Sequence, residues 1–106
     1  MKHLMSKPYE YVNHPTHYNH EGRKECWDEW VDKFGADAAV VICLGNADKY
    51  LYRAGTKKDN PAKQDIDKAR MYFDKAGKII VKHPISARTE RIYNMVGEEL
   101  EKYDHL

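Results

Sequence analysis

The chain is short of net charge, of cysteine and of long apolar runs, and each shortage narrows what it can be. Eighteen Lys and Arg against 17 Asp and Glu leave a formal net charge of +1 over 106 residues. Such a chain has no global field to gather DNA or an anionic membrane, so neither is an expected partner and any basic site must be local. Cysteine is limited to Cys26 and Cys43, both inside helical patterns. Without a CxxC pair a thiolate zinc site is not expected, and two reduced thiols are the expectation over a disulfide. No stretch approaches the roughly 20 apolar residues of a membrane span. Residues 1–8 carry no apolar run of signal-peptide length, so a cytoplasmic protein is expected. The motifs GxxxxGK(S/T), GxSxG and HExxH are missing, which sets aside P-loop kinases, hydrolases with a nucleophile elbow and zincin proteases. No segment alternates with period two for long enough to make a strand.

What is present is globular. Hydrophobic residues make up 42% and charged residues 33% of the chain. The length fits one domain, residues 1–106, burying about 60–65% of its unfolded surface, so its core is thin. Residues 1–23 are rich in His, Tyr, Asn and Pro without periodicity, and read as an irregular N-terminal arm. Four helical segments follow. Residues 25–34 carry an aromatic stripe of Cys26, Trp27, Trp30, Val31 and Phe34, stopped by Gly35. Residues 38–54, with Asp37 as expected cap and Gly55 as stop, place Val40, Cys43, Leu44, Ala47, Leu51 and Ala54 on one face. The third segment opens at Asn60 with Pro61 as first helical residue and runs to about residue 81. Its stripe is Ala62, Ile66, Ala69, Phe73, Ala76, Gly77 and Ile80. Residues 86–104 form a looser fourth helix with Ile92, Val96, Leu100 and Tyr103 facing one way. The expected fold is all-α, a small bundle of three to four helices behind an irregular arm.

Four constellations bear on chemistry. Asn46, Lys49 and Arg53 share a helix face that runs into the basic loop Gly55-Thr56-Lys57-Lys58, where lysine and arginine donors lie beside free backbone N–H groups, as phosphate oxygens require. The same residues also fit a solvated face whose cations complement the negative end of the helix dipole. His14, His17 and His20 fall within one turn-forming segment that could hold phosphate, although a ligand-free polar loop fits as well. No carboxylate or cysteine pattern completes a structural metal site there. Tyr18 and Tyr50 are candidate stacking platforms, at about 1–3 kcal/mol per base, whereas Trp27 and Trp30 fit packing. Asp65 is read as lying on the flank of the third helix beside Lys68. There it serves either as a salt-bridge partner or as a carboxylate for a magnesium–phosphate group.

Several blocks occur in order: Val12-Asn13-His14-Pro15-x-His17-Tyr18, then Glu25-Cys26-x-Asp28, then Leu44-Gly45-Asn46-x-x-Lys49-Tyr50-Leu51-x-Arg53-Ala54-Gly55, then Asp65-x-x-Lys68-Ala69-x-x-Tyr72. Together they resemble the SaV-like family of small phage-encoded proteins, also labelled phage nucleotide kinases and otherwise of unknown function. The resemblance covers about residues 12–75 and the expected helical core 25–81, but not the fourth helix. It implies that His14, His17, Asn46, Lys49, Arg53 and Lys57 contact phosphates and that Tyr18 and Tyr50 contact base or sugar. It also implies a nucleotide-binding protein of the host cytoplasm, or a nucleoside monophosphate kinase without a P-loop. In that kinase Asp65 would orient magnesium and His17 would donate to the transferred group. Two alternatives stand beside it: a non-catalytic protein that sequesters a signalling nucleotide of a host defence system, and a module that binds a host protein through the aromatic stripe. A chain this small hardly encloses two nucleotides, so a homo-oligomer with sites between subunits is expected.

Overall fold

A computed structural model describes residues 25–56 and 61–106. They form four helices, α1 (Cys26–Phe34), α2 (Ala36–Arg53), α3 (Ala62–Lys82) and α4 (Ala87–Glu101), with no strand among the described residues. The all-α expectation therefore holds for the described chain.

Helices α1 and α2 are joined by a single residue. The Gly35 N–H donates to the Val31 carbonyl and closes α1, while the Gly35 carbonyl accepts from the Ala39 N–H and opens α2. One residue can do both only by leaving helical space, and Gly35 sits at φ +90, which glycine adopts without steric penalty. At the end of α2 the Ala54 N–H donates to the Leu51 carbonyl, and Gly55 follows at φ +76. The expected Asp37 cap is not formed: α2 begins at Ala36, two residues earlier than expected, and no side chain caps it. Asp37 instead accepts from the Ser86 N–H at 2.9 Å and so ties the start of α2 to the start of α4. The Thr89 hydroxyl, with the Ser86 N–H, holds its carboxyl below the usual carboxylate range. Pro61 is the residue preceding α3 rather than its first helical residue. Ser86 caps α4, accepting from the Thr89 N–H at 3.2 Å.

Helix α2 is the spine against which the other three pack. Its buried residues are Ala39, Val40, Cys43, Leu44, Ala47 and Leu51, which recur turn by turn along one face. Opposite them α3 buries Ile66, Ala69, Ala76 and Ile79. Alanines on both sides let the two antiparallel backbones approach closely, so Leu44 and Ile66 are almost fully enclosed. Each such side chain contributes about 1.5–3 kcal/mol on burial. The buried face of α3 is wider than the stripe read from the sequence: it takes in Ile79, and it takes in Asp65, which is 0% exposed. The placement of Asp65 on the flank is thereby corrected. Helix α4 closes the bundle with Val96 and Leu100. Helix α1 buries no residue completely; Trp27, Trp30 and Val31 lean on the core, whereas Phe34 is largely exposed. No described helix is long and apolar enough to cross a membrane.

Candidate functional site

The α2–α3 hairpin gathers cations around one aromatic ring. Tyr50 lies in the last turns of α2, half-buried, one residue before the buried Leu51. Lys49 and Arg53 flank it on the same helix, with the Lys49 ammonium 4.7 Å and the Arg53 guanidinium carbon 5.4 Å from the ring centroid. From α3 the Lys68 ammonium reaches the same ring at 5.4 Å. Tyr72, one turn further along α3, stacks on Tyr50 with centroids 6.0 Å apart and planes 14° apart. The spacing of Lys68 and Tyr72, i and i+4, puts both on the α3 face toward α2. A cation over an aromatic face gains about 0.5–2 kcal/mol, depending on how dry the contact is.

The cluster is not neutralised within the described residues. Lys63 and Arg70 share Asp67, Lys75 pairs with Glu25 and Lys102 with Glu99, but among the described residues none of Lys49, Arg53 and Lys68 is in an ion pair. The Arg53 Nε, buried, makes no hydrogen bond among the described residues. A buried donor left unmade costs about 1–3 kcal/mol.

Of the expected site residues, Lys49, Tyr50 and Arg53 are brought together as one group. Asn46 lies one turn before Lys49, half-buried, with its amide nitrogen donating to the Ile42 carbonyl of its own helix at 3.0 Å. That leaves its amide oxygen, an acceptor, as the remaining polar group. His14, His17, Tyr18 and Lys57 lie outside the described residues. Asp65 is on α3, one turn before Lys68, enclosed in the core. The sequence reading assigned Lys68 to Asp65 as an ion-pair partner and missed its place beside Tyr50. The repeated spacing of Asp65, Lys68 and Tyr72 carried the signal, but their common direction toward Tyr50 depends on how α3 is rolled against α2.

A second feature is a cleft of about 480 Å³ between α1 and α3. The Lys75 ammonium crosses its floor, 4.3 Å from the Trp27 ring centroid and 3.5 Å from Glu25 Oε1. Asp28 and Asp32 of α1 and Lys78 and Lys82 of α3 also line it. Opposite charges on the two walls and a lysine already paired at the base fit a contact that holds α1 in place.

Residues 12–74 match a family described as a protein of unknown function (DUF3310). The match covers more than half of the chain, so the chain belongs to that family. It includes α1, α2 and all but the last turns of α3, and with them every residue of the Tyr50 cluster, and leaves α4 outside. No curated protein and no solved structure matches the chain.

Proposed function

We propose that this member of the DUF3310 family is a nucleotide-binding protein whose ligand lays its phosphates on Lys49, Arg53 and Lys68. The observation that supports this reading is the convergence of three cations on one half-buried ring, none of them in an ion pair among the described residues. A solvated face would scatter its lysines, whereas these come from two helices to one point. Phosphate oxygens are the natural complement, because each charge-assisted hydrogen bond contributes about 1.5–3 kcal/mol.

Between retention and phosphoryl transfer, the burial of Asp65 favours retention. A transfer site must offset two facing phosphate chains, usually through a magnesium ion held by an accessible carboxylate. Asp65, 0% exposed, is not available to a hydrated ion in this arrangement. The nearest expectation is therefore a protein that holds a nucleotide, as a sequestering protein directed against a host nucleotide signal would do. The host-protein module receives less support, since Trp27 and Trp30 are engaged in packing α1 onto the core.

The test is mass spectrometry of small molecules released on denaturing the freshly purified protein, followed by calorimetric titration of the compound found. Retention of a nucleotide, with Arg53→Ala weakening it by about 1.5–3 kcal/mol in a chain that still folds, is the expected result. Labelled ATP offered with a panel of nucleoside monophosphates, with and without chelator, then separates transfer from retention. Magnesium-dependent transfer would reinstate the kinase reading.

A further inference from the structure

We infer that the Tyr50 cluster recognises the ligand's phosphate chain, of two or more phosphates, and does not read its base. This rests on the nucleotide-binding reading above and specifies which part of the ligand the cluster holds.

The first argument is geometric. The three cationic centres lie 4.7, 5.4 and 5.4 Å from one centroid. No two of them are then more than about 11 Å apart, and an anion placed between two of them lies within the Debye length of about 8 Å at physiological salt from both. They approach from two helices, so a ligand that reaches all three must bridge α2 and α3. A linear chain of phosphates supplies the length and the charge together.

The second argument is electrostatic. Cations at the end of α2 could simply complement its dipole, but that end carries only roughly half a negative charge. The hairpin brings the start of α3 beside it: a Cβ on Gly55 would lie 3.9 Å from that of Ala62. The positive end of the α3 dipole therefore cancels much of the negative end of α2. Three positive charges stand against one nearby described carboxylate, the buried Asp65, and the Arg53 Nε is buried without a hydrogen-bond partner among the described residues. Orthophosphate alone brings about two negative charges, and each further phosphate adds to that.

The third argument concerns the ring. Tyr50 was expected to stack on a base or contact a sugar. Tyr72 already stacks on it, and the three cations lie over it. A tyrosine so occupied acts as a holder for the cations, keeping them spread and partly desolvated. It is not an open platform for a base.

Titration calorimetry of the intact protein tests this with adenosine, orthophosphate, pyrophosphate, inorganic tripolyphosphate, ATP and a single-stranded oligodeoxynucleotide. Affinity should climb from orthophosphate through pyrophosphate to tripolyphosphate. Lys49→Ala, Arg53→Ala and Lys68→Ala should each weaken tripolyphosphate and ATP by the same factor, about tenfold or more. Lys49→Arg should restore most of the loss, and circular dichroism checks that each variant is folded. If ATP binds and tripolyphosphate does not, the inference fails while the nucleotide reading survives. Losses in the three variants that depend on the base have the same meaning. If neither ATP nor tripolyphosphate binds, both fail. An oligonucleotide bound more tightly than tripolyphosphate overturns both in favour of a phosphodiester backbone.

Discussion

Replacing Gly97 by alanine should lower stability even though it removes a poor helix former from a helix. Gly97 lies inside α4 and is not among the described glycines with positive φ. Backbone entropy alone would therefore make Gly97→Ala stabilising by about 1 kcal/mol. Packing opposes this, because the added Cβ would stand 3.0 Å from Phe73 Cζ and 3.4 Å from Phe73 Cε1. Carbon pairs prefer about 3.5–4.0 Å, so the ring must retreat by roughly half an ångström. It has little room, since Phe73 stacks on Tyr93 with centroids 4.4 Å apart and planes 11° apart. Tyr93 in turn points its hydroxyl at Gly77 of α3, where a Cβ would meet it at 2.9 Å. Each helix thus receives the other's aromatic ring at a glycine, and a push at one glycine travels to the second. Overpacking of this kind costs about 1–3 kcal/mol, which outweighs the propensity gain. The expected net loss is about 1 kcal/mol, or roughly 4–8 °C in Tm for a domain near this size. Thermal unfolding followed by circular dichroism reads it. The sign should reverse in a Phe73→Leu background, where the Cβ has room and the propensity gain remains, and a double-mutant cycle isolates that coupling. A higher Tm for Gly97→Ala in the wild-type background would refute the interlock. Because α4 contributes nothing to the Tyr50 cluster, nucleotide binding by the folded variant should be unchanged.

Two further glycines separate conformation from contact: a Cβ at Gly35 or at Gly45 would meet nothing within 4 Å. Gly35→Ala should nevertheless destabilise by about 1–2 kcal/mol because of its positive φ. Gly45→Ala, inside α2, should stabilise by up to about 1 kcal/mol. Urea melts giving both variants the same sign would contradict the backbone argument. Burial pushes the Cys43 thiol up, from an ordinary 9.0 to about 11. Its contribution to stability is complete below pH 9 and is lost as pH rises through about 11, since the unfolded thiol ionises first. Denaturant midpoints between pH 8 and 11 should fall more steeply for the wild type than for Cys43→Ala, and a thiol reagent should label the exposed Cys26 first. Finally, Phe34, Tyr52, Val81 and Met95 leave much apolar surface exposed. Light scattering should find a homo-oligomer at micromolar concentration; a monomer would count against sites shared between subunits.

The sequence alone was enough for the helices and for the glycines that follow two of them. The stripe from Val40 to Leu51 could be read because helical geometry returns a residue to the same face every three or four positions, whatever packs there. Gly35, Gly55 and Ser86 could be read because each acts on the backbone within a few residues of itself. The pairing of Lys49 with Arg53 was legible for the same reason. Everything that depended on a second element was not. Asp37 has the look of a local cap, yet its partner is Ser86, 49 residues away, and only the docking of α4 on α2 selects it. Asp65 sits beside Ile66 at the edge of an apolar stripe. Periodicity cannot say whether the stripe is wide enough to enclose it, because that width is set by how closely the alanines of α2 and α3 let the two backbones approach. Lys68 reads locally as a salt-bridge partner of Asp65. It lies instead beside Tyr50, because the roll of α3 against α2 points it there. The composition of the cluster was thus present in the linear chain, but its convergence on one ring was decided by interhelical packing, since that alone determines which faces meet.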